Sequence, residues 1–105
     1  VAGGGGAAYT AAKHGIIGYT KQLAYDYADK GIRVNCIAPG AINTPMNAAD
    51  FAGDGAMAKE VARLTPAKRW AKPKEVAEMT LYLASPRADY VHGTVFTIDG
   101  GWTVK

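Results

Sequence analysis

Tyr9 and Lys13 stand four residues apart within a stretch of helix-forming residues. On a helix that spacing puts both side chains on one face, about one turn from each other. An ammonium held near a phenol favours the phenolate, and a phenol tuned in this way can act as a general acid or base on a carbonyl or alcohol oxygen. The spacing alone is weak: six tyrosines among this many lysines give roughly half a match by chance. An ordinary surface helix with a half-buried tyrosine and a solvated lysine is the other reading.

The elements that would position this pair follow from periodicity. Residues from about Ala8 to Lys30 are expected to form a helix, with Ala12, Ile16, Thr20, Leu23 and Tyr27 as its apolar stripe and Gly31 as its stop. Gly15 and Gly18 each cost up to about 1 kcal/mol inside a helix. They point to a close backbone neighbour, either another subunit or a helix of the same chain. The run from Ile32 to Ala38 is short, β-branched and nearly all apolar, and Pro39-Gly40 closes it. A helix feeding directly into such a strand marks an α/β unit with a buried parallel sheet. Ligands of that architecture bind beyond the carboxyl ends of the strands, here Pro39 to Thr44.

Residues 44–66 are rich in Ala and Gly, with a short helical pattern from about Ala56 to Leu64. They read either as a mobile lid over a substrate pocket or as a helical excursion packed on the core. Pro73 opens a further helix with Val76, Ala77, Thr80, Leu81 and Ala84 as its buried face, and Pro86 ends it. A second buried strand is expected over Gly93 to Ile98, before Asp99-Gly100-Gly101. The run Gly3 to Gly6 lacks the preceding strand and the spacing of a phosphate loop, and reads as a connection into the first helix.

At 105 residues the chain suits one small domain, and 49% apolar with 20% charged residues is ordinary for a globular protein. The net charge of +3 is scattered. Its densest cluster, Lys68, Arg69, Lys72 and Lys74, is flanked by prolines, which argues against a nucleic-acid interface. Cys36 is the single cysteine, so no internal disulfide framework or multi-cysteine metal site is available, and it reads as a small buried hydrophobe. His14 and His92 share no metal-ligand spacing with Asp, Glu or Cys, so no metal is expected. No apolar run reaches membrane-spanning length. Two parallel strands do not make a stable sheet. That inventory, the valine at position 1 and the opening glycine run lead us to expect a longer parent chain.

Taken together, Tyr9-Thr10-Ala11-Ala12-Lys13-His14-Gly15, Gly31 through Gly40, Ile42-Asn43-Thr44, Arg69, Pro73-Lys74-Glu75-Val76-Ala77 and Gly93 through Gly101 resemble the C-terminal part of a short-chain dehydrogenase/reductase. The likeness is to the types that include 3-oxoacyl-[acyl-carrier-protein] reductases and gluconate or glucose dehydrogenases. It covers essentially the whole chain, in order and in register. It implies an α/β fold: residues 1–105 as the C-terminal portion of one doubly wound, Rossmann-like parallel-sheet domain whose N-terminal nucleotide-binding half is missing from this chain.

The resemblance implies reversible hydride transfer between NAD or NADP and a carbonyl or secondary alcohol, such as a 3-oxoacyl thioester or a sugar acid. Tyr9 would be the acid/base. Lys13 would be its partner and would bind the nicotinamide ribose. Pro39 and Gly40 would turn the chain past the nicotinamide, Ile42 would hold the carboxamide through its backbone, and Thr44 would contact the carboxamide or pyrophosphate region. Residues 46–65 match the family's variable substrate loop. The resemblance also implies a bacterial cytoplasmic setting and a homotetramer assembled through residues 73–101 and the 9–30 helix. The nucleotide loop and catalytic serine of the family belong upstream of Tyr9. Ala12 stands where serine is common, and Trp70-Ala71 where a glycine-containing turn is usual. The alternative is a non-catalytic binding or oligomerisation fragment that keeps the sequence without a complete nucleotide site.

Overall fold

The computed structural model describes residues 5–104. Gly3 and Gly4, half of the opening glycine run, lie outside them. The described chain divides into two compact units, residues 5–37 with 82–96 and residues 38–81 with 97–104. Helix α1 spans Gly6–Tyr27, and a 3-10 turn over Ala28–Lys30 carries it to Gly31, whose φ of 78° is the left-handed stop expected there. Strand β1 is Cys36–Pro39, helix α2 is Ala56–Leu64, helix α3 is Pro73–Ala84 and strand β2 is Val95–Ile98. A 3-10 helix over Pro45–Phe51, not foreseen from the sequence, precedes α2.

The two strands form a two-stranded sheet. Cys36 N–H donates to Thr94 O at 3.0 Å and Gly40 N–H to Ile98 O at 2.8 Å. Donor and acceptor advance together by the same step, so the strands run parallel. The first strand begins later than the apolar run from Ile32 predicts, and side chains are the reason. Asn35 Nδ2 donates to Val91 O at 2.9 Å, and its Oδ1 accepts the Thr94 N–H at 3.0 Å. Arg33 spreads its guanidinium over the carbonyls of Leu83, Ser85 and Ala88 at 2.8–3.1 Å. The Asn35 side chain thereby takes the Thr94 N–H that a longer ladder would pair, while Gly93 N–H still reaches Val34 O at 2.8 Å and Arg33 holds carbonyls at the end of the Pro73–Ala84 helix and the turn after it.

The helical faces also differ from expectation. On α1 the buried residues are Thr20 and Ala24, with Thr10, Ile17 and Leu23 half-buried. Ala12, Ile16 and Tyr27, assigned to the apolar stripe, are exposed. On α3 the half-buried line is Val76, Met79 and Leu83, at steps of three and four, whereas Ala77, Thr80, Leu81 and Ala84 face outward. Each helix carries two apolar stripes, and periodicity could not say which one this chain covers. A Cβ built on Gly15 or Gly18 meets nothing within 4 Å. No helix of the described chain approaches them, which corrects the same-chain half of that expectation. Cys36 is half-buried with a free thiol.

The core of the described residues is small: Ala24, Ile42, Ala58 and Ala88 are its buried apolar residues, with Thr20 and Thr65 buried beside them. Close backbone approaches do the work that large side chains do elsewhere. A Cβ on Gly40 would lie 2.7 Å from Asp99 Cβ and 2.8 Å from its Cα. Gly100, at φ 63°, would press its Cβ to 2.9 Å from Thr65 Cγ2. Overpacking of that kind costs about 1–3 kcal/mol. Gly40→Ala is therefore expected to lower the melting temperature by several degrees in a thermal scan; an unchanged melting curve would show that the two loops are not held this tightly.

Candidate functional site

Tyr9 and Lys13 share a face of α1, and the Lys13 ammonium lies 5.1 Å from the centroid of the Tyr9 ring. Tyr9 is 57% exposed, so its phenol is open to a reactant. A side chain at Gly5 would strike the Tyr9 ring, so this glycine leaves room for the ring at the helix entrance. His14, one residue on, bonds Thr10 O through Nδ1 at 2.9 Å. It is tied to the helix backbone.

Pro39, Gly40, Ile42 and Thr44 belong to the second unit: Pro39 is the last residue of β1 and the other three follow it. Gly40 donates its N–H to Ile98 O, and Ile42 forms a parallel bridge with Ala71. The bridge runs from Ala71 N–H to Ala41 O at 3.0 Å and from Asn43 N–H to Ala71 O at 2.9 Å. Both bonds use the neighbours of Ile42, so its own N–H and C=O form the opposite backbone edge. Its side chain is 8% exposed and anchors the segment. Thr44 is half-buried and starts the 3-10 helix Pro45–Phe51, where its carbonyl accepts Asn47 N–H at 2.9 Å.

Two residues outside the predicted site prove central to this geometry. Asn47 Nδ2 donates to Ile42 O at 2.8 Å, so a side-chain carboxamide rests on the backbone edge just described. Trp70 stacks at a tilt on Phe51, with centroids 4.8 Å apart, and donates its indole N–H to Ala58 O at 2.9 Å. It thereby ties Pro45–Phe51 and α2 to the strip that bridges Ile42. The departure at Trp70-Ala71 thus joins the 46–65 segment to the end of β1. The sequence signal for Trp70 was its departure from the usual glycine-containing turn; Asn47 gave none beyond its position three residues after Thr44.

Arg69 and Glu75 pair in two parallel bonds of 2.8 Å each, and Glu75 Oε1 also accepts the Lys72 N–H at 3.0 Å. The glutamate closes the first turn of α3 as the returning half of a capping box. Asp99 caps its own loop, accepting from Gly101 N–H, Thr103 N–H and Thr103 Oγ1. Those bonds, the Thr103 hydroxyl first, hold the Asp99 carboxyl below its usual range. A cleft among Ala41, Thr65, Arg69, Glu75 and Asp99 contains none of the predicted site residues, and its charged groups bond to one another and to backbone. Among the described residues no three His, Cys, Asp or Glu side chains gather as a metal site, and no helix is long and apolar enough to cross a membrane.

A family model described as enoyl-(acyl carrier protein) reductase matches residues 1–103. The chain is 50% identical over 96 residues to 3β-hydroxysteroid dehydrogenase 1 of Eggerthella lenta, across 91% of this chain and 36% of that protein. Gluconate 5-dehydrogenase from Burkholderia cenocepacia J2315, solved in complex with NADP and tartrate, is 33% identical, with a TM-score of 0.90 over 100% of this chain and 41% of that one. A 4-hydroxyisoleucine dehydrogenase complexed with NADH is 37% identical, with a TM-score of 0.88 over 93% of this chain and 40% of that one. The chain belongs to the short-chain dehydrogenase/reductase family and carries part of its Rossmann-like α/β fold. It spans well under half the length of these relatives.

The Glu75 carboxyl is lowered from 4.5 to about 2, chiefly by the Arg69 bonds and then by the Lys72 N–H. A depressed carboxylate adds stability that is complete above its unfolded value and disappears as pH falls through its folded one. At 58% and 37% side-chain exposure the pair is screened and its effect is modest. Glu75→Gln should therefore melt below the wild type at neutral pH, with the gap closing as pH falls from 4.5 to about 2. A gap that is independent of pH would contradict this role.

Proposed function

We propose that this chain is the C-terminal part of an NAD- or NADP-dependent oxidoreductase that interconverts a carbonyl and a secondary alcohol. The observation that carries the reading is the Tyr9–Lys13 pair: a solvent-open phenol with an ammonium over its ring, one turn apart on one helix. In the direction of reduction, the Tyr9 phenol donates its proton to the substrate oxygen as negative charge develops there, and in oxidation it takes that proton back. The Lys13 ammonium would stabilise the phenolate left behind and would hold the hydroxyls of the nicotinamide ribose. A nicotinamide cofactor, when bound, supplies or accepts the hydride.

The residues after β1 fit that cofactor. Ile42 offers a backbone N–H and C=O side by side on one edge, a match for a carboxamide, and a carboxamide from Asn47 already bonds there. Pro39 and Gly40 would turn the chain past the nicotinamide, Ile42 would hold the carboxamide through its backbone, and Thr44 would contact the carboxamide or pyrophosphate region. NADP and NADH occur in the related solved dehydrogenases, which supports both forms as the cofactor class. Sugar acids, hydroxysteroids and hydroxy amino acids appear among the relatives' names. Within the broad carbonyl–alcohol class, residues 46–65 would select the substrate. The proposed setting is the cytoplasm, and the proposed assembly is a homotetramer through residues 73–101 and the 9–30 helix.

Tyr9→Phe in the full-length enzyme should cut kcat by about 100- to 10,000-fold, the usual worth of a positioned acid/base, and leave the cofactor Kd almost unchanged. Lys13→Ala should lower kcat and weaken cofactor binding together. Turnover near the wild-type rate in Tyr9→Phe would remove Tyr9 from the chemistry, and loss of neither property in Lys13→Ala would remove Lys13.

A further inference from the structure

The Asn47 side chain is itself a primary carboxamide, the same functional group that the proposed function brings to Ile42. Its Nδ2 donates to Ile42 O at 2.8 Å, and its backbone N–H to Thr44 O at 2.9 Å. Asn47 is half-buried and sits at a kink in the 3-10 helix Pro45–Phe51, with φ −101° and ψ 17°. The edge it touches is the one that the Ala71 bridge leaves outward: Ala41 O and Asn43 N–H bond Ala71, and of the two groups of Ile42 on the other edge it is the C=O that accepts from Asn47. The donor that Asn47 presents to Ile42 O is the donor a nicotinamide carboxamide would present there.

We infer that Asn47 is an internal stand-in for the nicotinamide carboxamide, which it holds the place of on Ile42 and competes with on binding. The inference rests on the proposed function, because it takes the Ile42 edge as the carboxamide site. Its consequence is a link between cofactor and substrate loop. When the nicotinamide takes the Ile42 carbonyl, the Asn47 amide leaves it, and the first turn of Pro45–Phe51 loses one of its ties to the end of β1. That turn reaches α2 through the Phe51–Trp70 stack and the Trp70 bond to Ala58 O, so release at Asn47 frees one end of a segment that is pinned at the other. Cofactor binding thereby loosens the entrance of the substrate loop while its far end stays fixed. Asn47 acts on affinity through Ile42 and has no part in the proton transfer.

The test uses the full-length protein and calorimetric titration with the nicotinamide dinucleotide that the wild type binds. The reference ligand is the matching adenosine diphosphate ribose, which lacks the nicotinamide. Asn47→Ala, and Asn47→Leu as the variant that keeps the side-chain volume, remove the competing donor. Each should bind the dinucleotide about three- to tenfold more tightly, the worth of one hydrogen bond, with the diphosphate ribose unchanged within about twofold. Dinucleotide affinity that is unchanged or weaker, against an unchanged diphosphate ribose, overturns the inference and leaves the proposed function standing. A wild type that binds no nicotinamide dinucleotide overturns the proposed function itself, and this inference with it. In the unsubstituted protein, hydrogen exchange over residues 45–51 should rise when the dinucleotide is added; a fall would mean that the turn is not released.

Discussion

The parallel bridge between Ile42 and Ala71 is the constraint from which the rest of the second unit follows. A chain leaving a strand has no intrinsic reason to stay extended, and a single bridge after β1 keeps it so. Because the bridge uses the groups on either side of Ile42, it turns that residue's own N–H and C=O outward as a fixed edge. The edge is held from below by the Ile42 side chain, nearly buried, and from behind by Gly40, whose missing side chain lets Asp99 approach. Glycines at 40 and 100 are thus part of the site's support, since backbone contact substitutes here for the large buried side chains that this chain lacks among its described residues.

Much of the support is electrostatic and local. The Arg69–Glu75 pair and the Lys72 N–H fix the start of α3 directly after the bridging strip. Asp99 fixes the loop after β2 by accepting three bonds from within that loop. Neither carboxylate needs a partner from outside its own unit. The proposed chemistry asks different things of the two units: a phenol and ammonium on a helix in one, and a backbone edge in the other.

Helices α2 and α3, the glycine stop of α1 and strand β2 were legible in the sequence because each has its own local punctuation. Pro73, Pro86 and Gly31 mark ends by steric rules that tertiary context does not override. The start of β1 was not legible, because the Asn35 side chain takes the Thr94 N–H in place of the backbone, and composition carries no trace of that. Nor were the covered faces of α1 and α3, where residues such as Ile16 and Leu81 continue a helical period but meet solvent in this chain. Of the candidate site, the Tyr9–Lys13 pair was readable because helix geometry fixes its spacing. Asn47 was not, since its importance comes from a bond back to Ile42 that no periodicity encodes.

The central claim is that Ile42 presents a backbone edge shaped for the nicotinamide carboxamide. The most direct measurement compares the full-length protein's affinity for its nicotinamide dinucleotide with that for the nicotinic acid analogue, in which a carboxylate replaces the carboxamide. The carboxylate has no donor for Ile42 O and sets two acceptors against each other, a mismatch worth about tenfold or more in affinity. Tenfold or greater preference for the carboxamide is the predicted result, and equal binding of the two dinucleotides would contradict it.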